Sequence, residues 1–557
     1  MKSAIKLIIN RKAMRKKYIN SSAKVVLVIG LISFNPCCAR GDASSLSELQ
    51  IKATQGSAVS QNDLGMAYAS GSGVQQNYTE AVKWFRLAAQ QGYAKAQYNL
   101  GVAYASGSGV QQNYTEAVKW FRLAAQQGYV QAQYDLGVFY DKGRDVEKND
   151  AEAMKWYSLA AEQGDSAAQY NLGLMYAFGK GIEKDNVKAL KWWRLAAEQG
   201  DAEAQFNVGV AYLNGQNVEK SDAIALKWWR LSAQKGYAPA QYYLGTMYSS
   251  GRGVKQSDTE AAKWITISAE QGYPLAQMIL GDLYAAGRGV EKDLTKTKKW
   301  YQLAAQQGFI QAQCILGSML YTQGNGNYAE ALRLFRFAAE QGSAFAQHNL
   351  GIMYNKGRGV QQSSAEALKW WRLAAEQNEV KSFQGQIMCW DGKSQLEIDR
   401  FGVAEAQYNL AVMFAKGEGV KQNETEAMQW MLLAAEHGQK LAQFNIGVSY
   451  FEKSDIEAEK WWRLSAEQGY VNAQYALGMM YFKGELGVKQ NPVEAAKWFR
   501  LAADQGDAAA QYGLGLMYGM GHGVKQDDNE CDKLIKRAAD QGYPPAQELL
   551  KKLSQKP

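Results

Sequence analysis

Cysteine, histidine and unbalanced charge are all scarce in this chain, and each shortage removes a class of function. Of the five cysteines in 557 residues, Cys37 and Cys38 fall within the first 39 positions. The other three, Cys314, Cys389 and Cys531, are scattered without Cys-x-x-Cys spacing, so no disulfide framework is expected and stability must come from packing. His348, His437 and His522 are the only histidines, and none has an acidic or thiol partner at a recognisable spacing. Paired-histidine metal motifs, a nucleophile elbow and a dinucleotide fingerprint are all missing. The expectation is a protein that is not an enzyme and that needs no cofactor or metal.

The formal net charge of +8 invites a nucleic-acid reading that its distribution removes. Residues 1–39 carry Lys2, Lys6, Arg11, Lys12, Arg15, Lys16, Lys17 and Lys24 and no acid; taking these eight from 62 basic residues leaves 54 against 54 acidic ones. A nucleic-acid-binding domain should carry its basic excess in the folded part. No nucleic-acid partner is expected.

Long apolar runs are also lacking. The longest near the start, Val25 to Phe34, is too short to span a bilayer, and it follows a cationic stretch and precedes Asn35-Pro36-Cys37-Cys38-Ala39. This is the layout of a secretory signal peptide over residues 1–39, with cleavage after Ala39. A start at Met14, a lipid anchor on Cys37 and a plain disordered extension remain alternatives. The expected location is periplasmic, or secreted to the surface, with no transmembrane helix in the mature chain.

What the chain has in abundance is repetition. Residues 67–93 recur unchanged at 103–129, one period of 36 later, within a pattern that fills most of the sequence. Such a period signals a stacked array in which each unit contacts mainly its neighbours. In residues 94–129 the first helix places Ala96, Leu100, Gly101 and Tyr104 on one half of the wheel. The Gly101 slot is Gly at 65, 137, 173, 209, 245, 281, 317, 351, 447, 478 and 515 and Ala at 411, so it requires a small side chain for close helix approach. Ser106-Gly107-Ser108-Gly109-Val110 is a structural turn rather than a phosphate loop, since no strand precedes it.

The second helix opens on a capping box, Asn113-x-x-Glu116, repeated at Asn77/Glu80, Asn149/Glu152, Ser257/Glu260, Ser363/Glu366, Asn423/Glu426, Asn491/Glu494 and Asp527/Glu530. Its apolar stripe is Ala117, Trp120, Phe121 and Ala124, and Gly128 closes it. Fifteen of the 16 tryptophans lie in this helix, as an inter-repeat core would require.

Taken together, Ala-x-Ala-Gln-x-x-Leu-Gly-x-x-Tyr, Gly-x-Gly-Val, Ala-x-x-Trp and Ala-Ala-x-Gln-Gly resemble the Sel-one-like repeat family, a relative of the tetratricopeptide repeats. The resemblance covers about residues 44–553 and recurs thirteen times. It implies an all-α, right-handed α/α superhelical solenoid with half-repeat caps. It also implies an adaptor with a concave surface, of a kind common in secreted or periplasmic bacterial proteins and in the endoplasmic reticulum lumen.

The expected organisation is a signal peptide at 1–39, a cap half-repeat at 40–57, nine repeats at 58–378, an interruption or degenerate repeat at 379–403, four repeats at 404–543, and a cap helix and tail at 544–557. The step from Gly351 to Ala411 is 60 positions, so 24 extra residues interrupt the array. The repeat from Ile310 lacks two turn residues, that from Lys440 lacks five, and Leu486 or its neighbour is one residue extra.

For binding, the wheel sets Lys95, Asn99 and Val102 opposite the Leu100 stripe, with Tyr98 at the flank. The Asn99 slot is Asp135, Asn171, Asn207, Asn349, Asn409 and Asn445 in other repeats. Asn is a poor choice for an exposed helix interior, and a row of such groups facing a groove suits the main chain of an extended peptide. Aromatics in the Tyr98 slot are expected to pack between repeats. The function expected is an exported protein–protein interaction scaffold in envelope signalling or host contact. A structural scaffold for envelope polysaccharide or secretion machinery is one alternative. An endoplasmic-reticulum adaptor is another; there the triplets at Asn77, Asn113 and Asn423 would be glycosylated, although the same residues serve as helix caps.

Overall fold

The computed structural model describes residues 43–554 except 144–145, 378–394, 452 and 485–487. The leader, most of the interruption with Cys389 and Trp390, and Leu486 lie outside the described residues. Among the described residues there are 28 α-helices and one short 3-10 turn, and no strand. They fall into two compact units, residues 43–297 and 298–554, each built from the same helix pair.

Residues 94–129 show how one pair forms. The first helix runs Ala94–Ser106 and ends because Gly107 turns left-handed, at φ 75°, its N–H bonding to Ala103 O. The second runs Tyr114–Gln126, with the Asn113 side chain accepting from the Glu116 N–H. All eight expected capping residues accept in this way from the third helical N–H. The reciprocal half of the box is not used. Asn113 N–H donates instead to Tyr104 O, at 2.9 Å, and so ties the second helix to the end of the first. Glu116 is left to pair with Lys119. The half-unit caps are helices Ala43–Thr54 and Pro544–Ser554.

The small slot of the first helix is filled by a side chain from the second, a ring in most repeats and Ile265 or Ile535 at Gly245 and Gly515. A methyl group on Gly137 would lie 2.5 Å from Tyr157, and one on Gly209 would lie 2.5 Å from Trp229. Where the slot is Ala411, the facing position twenty residues on is the flexible Met431 rather than a ring. The tryptophans therefore divide into two sets. Trp193, Trp229, Trp371 and Trp462 press on the glycine of their own repeat and donate Nε1–H to a first-helix carbonyl, as Trp229 does to Phe206 O at 3.0 Å. The preceding tryptophan slot faces the neighbour, so Trp120 packs on the core of Phe85 and Leu100. A brace adds to several joints: Arg86, Arg122, Arg230 and Arg336 donate to the hydroxyls of Tyr104, Tyr140, Tyr248 and Tyr354. Phe414 lacks that hydroxyl, and Arg372 turns to Glu426, at 3.2 Å.

A buried glutamine spine, whose role the sequence pattern does not reveal, links successive repeats. Gln97 in the first helix donates Nε2–H to Ala89 O of the preceding second helix, and its Oε1 accepts from Gln127 of the following one at 2.8 Å. The same bond joins Gln91 to Gln61, Gln163 to Gln133, Gln199 to Gln169 and Gln271 to Gln241 in the first unit. In the second it joins Gln377 to Gln347, Gln468 to Gln443, Gln505 to Gln474 and Gln541 to Gln511. His437 substitutes in one rung, its Nδ1 2.7 Å from Gln407 Oε1. Lys235 does not: Gln205 is 4% exposed and its Oε1 has no partner.

Residues 395–403 are helical and continuous with the following repeat, giving one helix, Gln395–Lys416. That extension is held by Asp399, whose buried carboxylate accepts from Ser343 Oγ at 2.8 Å and from Phe345 N–H at 3.2 Å, at the start of helix Ala344–Lys356. A carboxylate at a helix N-terminus is favourably placed against free N–H groups. The spine skips the inserted residues, since Gln407 still reaches Ala375 O at 3.1 Å.

Two outcomes follow. Gly209→Ala should destabilise its repeat by about 1–3 kcal/mol through overpacking, and the penalty should shrink in a Trp229→Met background, read by a double-mutant cycle in urea. Lys235→Gln should complete the spine and stabilise by about 1 kcal/mol, seen as slower hydrogen exchange in residues 197–241; unchanged exchange would contradict the spine's role.

Candidate functional site

Each first helix turns its Leu100-type residue inward and leaves the Asn99 slot on the opposite side. In the first unit Asn99, Asp135, Asn171 and Asn207 are partly buried; in the second, Asn349 and Asn409 are partly buried and Asn445 is exposed. Within each unit the slot therefore recurs at one place on successive first helices.

These side chains are not simply free amides awaiting a ligand. Asn99 Nδ2 donates to Asn62 Oδ1 of the preceding repeat at 2.8 Å. The Tyr98 hydroxyl bonds the Asp135 carboxylate, and the Tyr134 hydroxyl pairs with Asn171. Tyr170 turns to Glu203 rather than Asn207. In the second unit Asn445 pairs with Tyr408, and Asn409 Nδ2 lies 3.5 Å from Nδ1 of the buried His348. Asn349 bonds back to Phe345 O at 2.8 Å. The rule is a pairing between the Tyr98 slot of one repeat and the Asn99 slot of the next. The sequence signal was present in the recurring aromatic–Asn dipeptide, but only the stacking offset shows who meets whom.

Tyr98 also packs its ring 5.5 Å from Phe121 and 5.0 Å from Tyr129. Burial accordingly pushes the Tyr98, Tyr134 and Tyr170 hydroxyls above their ordinary range. Burial also raises Asp135 to about 7, against the opposing hydrogen bond from Tyr98. Asp165, Asp201 and Glu203 are raised for the same reason.

The scattered thiols and imidazoles do not assemble. Cys314 is buried, its thiol pushed up to about 12, with Sγ 3.6 Å from Ser343 Oγ. Burial lowers His348 to about 4, and His437 serves the spine. Among the described residues no group of three His, Cys, Asp or Glu side chains could hold a metal ion. The second helices present a rival surface: Leu87, Leu123, Leu159, Leu195 and Leu231, one on each of five successive second helices in the first unit, are all exposed.

Asp135 yields a pH test. Its folded value stands above the unfolded one, so the carboxyl costs nothing below about pH 4, where it is protonated in both states. The cost grows as pH rises and is complete above about 7. Asp135→Asn should therefore raise the melting temperature at pH 8 and leave it nearly unchanged at pH 4.

The fold agrees with that of known proteins. The Sel1 repeat pattern matches thirteen segments: 58–93, 94–129, 130–165, 166–201, 202–237, 238–273, 274–309, 310–343, 344–379, 404–439, 441–470, 471–507 and 508–543. The crystal structure of a protective antigen of uropathogenic Escherichia coli with an SLR fold superposes with a TM-score of 0.60, at 32% identity, over 92% of this chain and 98% of that one. An exopolysaccharide production negative regulator of Rhizobium leguminosarum bv. viciae is 29% identical over 155 residues, which span 23% of this chain and 58% of the regulator. A component of an ERAD-associated E3 ubiquitin-protein ligase, HRD3B of Arabidopsis thaliana, is 30% identical over 133 residues, 23% of this chain and 17% of that protein. The chain thus spans somewhat over half the length of the curated regulator and a small part of the ligase component. With thirteen matched repeats and paired helices in both units, this chain belongs to the Sel1 repeat family, whose repeats mediate protein interactions and typically form non-catalytic scaffolds.

Proposed function

We propose that this chain is an exported scaffold that binds an extended segment of a partner protein along its first-helix face, in envelope signalling or host contact. The carrying observation is the recurrence of one half-open polar slot, Asn99, Asp135, Asn171 and Asn207 in one unit and Asn349, Asn409 and Asn445 in the other. An amide both donates and accepts, and a contact to the neighbouring repeat (Asn62 for Asn99, Tyr134 for Asn171, His348 for Asn409, Tyr408 for Asn445) holds it before a ligand arrives. Pre-oriented groups lose less freedom on binding. Export is supported by the cationic, apolar and small-residue order of residues 1–39 and by likeness to the Escherichia coli antigen. No helix among the described residues is long and apolar enough to cross a membrane. A second reading, control or scaffolding of envelope polysaccharide production, is favoured by similarity to the exopolysaccharide regulator.

The test is in-cell crosslinking of a C-terminally tagged chain, with the mature N-terminus and the captured proteins identified by mass spectrometry. The expected chain begins at Arg40 and carries a specific envelope or host protein. Capture should fall about tenfold or more in the combined Asn171→Ala, Asn207→Ala and Asn349→Ala variant, each lost bond contributing about 0.5–1.5 kcal/mol. An uncleaved leader would refute export, and undiminished capture would refute the slot's role.

A further inference from the structure

The first-helix face is not uniform. In the second unit it opens into a pocket of about 370 Å³ between helix Lys440–Tyr450 and helix Val471–Lys483. Two departures from the repeat account for it. Ala476 occupies the slot that holds Asn99, Asn171 or Asn409 elsewhere, so the side chain that would reach back to the preceding repeat is missing. The turn after Tyr450 is five residues shorter than in residues 94–129, and Phe451 stands in the place of Ala105. Phe451 lies 5.2 Å from the Trp462 ring, and Phe444 stacks on the same indole at 6.3 Å.

The result is a cleft with aromatic walls. Met479 on the next helix supplies an unbranched, polarizable thioether that adapts to a flat guest. Asn472 stands at the rim, where its Nδ2 donates to the Tyr470 hydroxyl at 3.0 Å, so its Oδ1 faces the role of acceptor. Lys483 is the one charged side chain among the lining residues. The volume is at the small end of the range for ligand sites, about 300–1,000 Å³, and suits one large side chain rather than a cofactor.

We infer that this pocket is an anchor subsite for a tryptophan side chain of a bound peptide, followed by an acidic residue that meets Lys483. The inference rests on the peptide-binding reading of the same face. The ring would enter between Phe451 and Met479, its N–H directed at Asn472 Oδ1. A donor on an aromatic edge meeting a single acceptor is the usual way such anchors gain specificity. The repeats with Asn in the Ala476 slot carry a larger, polar side chain at this place, so this site sets the register in which an extended segment lies along the array.

The full-length protein with 13C-labelled methionine methyls tests this by NMR, the Met479 resonance being assigned with Met479→Leu. The probes are Ac-Trp-Glu-NH2, Ac-Trp-Gln-NH2 and Ac-Ala-Glu-NH2. Ac-Trp-Glu-NH2 should shift the Met479 methyl saturably, Ac-Trp-Gln-NH2 should bind several-fold more weakly, and Ac-Ala-Glu-NH2 should not bind. Ala476→Leu, which fills the pocket, should abolish the shift; Asn472→Ala, which leaves the packing intact, should weaken it several-fold if Ala476→Leu fails to fold. Equal shifts from the tryptophan and alanine probes, or shifts that survive both variants, would overturn the inference. Probe binding without any captured partner in cells would retain the pocket and sink the peptide-scaffold reading; a captured partner indifferent to Ala476→Leu, with no probe binding, would do the reverse.

Discussion

The contact on which the array depends is a ring pressed against a helix backbone. In most repeats an aromatic or branched residue of the second helix occupies the space a side chain would fill on the first, as Phe85 does at Gly65 and Trp229 at Gly209. This contact fixes how closely the two helices approach. Gly in mid-helix costs about 1 kcal/mol against Ala, so its recurrence must be offset by burial of the ring, worth about 1.5–3 kcal/mol for a large apolar side chain. The exchange of Gly and ring for Ala411 and Met431 keeps the same occupied volume by another route.

Given that spacing, polar chemistry has two separate tasks. The glutamine spine runs inside and satisfies buried carbonyls and amides between repeats, a low-dielectric setting in which an unmatched group is costly. The Tyr98 and Asn99 slots run along the first-helix face and join repeat to repeat while leaving part of their surface open. A stack in which most neighbours are tied in these ways is stabilised mainly by local interface terms. Local departures, such as the shortened turn after Tyr450 or the inserted segment before Gln395, can then be absorbed without disturbing distant repeats.

Much of this was legible in the sequence. The period of 36, the capping residues, the small slot and the tryptophan helix locate each element because they are local signals of period and cap. The glutamines were visible in the motif, but their partners lie in different helices, 30 residues apart in most rungs, so their role required the stack. The same holds for the candidate site. The wheel separates the Asn99 slot from the Leu100 stripe, yet it cannot show that Tyr98 meets Asp135 or that Asn349 bonds its own backbone. Asp399 was also hidden, because residues 395–403 lack the repeat pattern and are ordered by one buried carboxylate.

The account's central claim is that partners engage the first-helix face rather than the exposed leucines of the second helices. It is tested most directly by placing a photo-reactive amino acid at Val102, Val138 and Leu174 in one set of chains and at Leu87, Leu123 and Leu159 in another, then crosslinking in cells. The account predicts partner adducts from the first set and few from the second. Adducts confined to the leucine positions would contradict it and move the binding surface to the second helices.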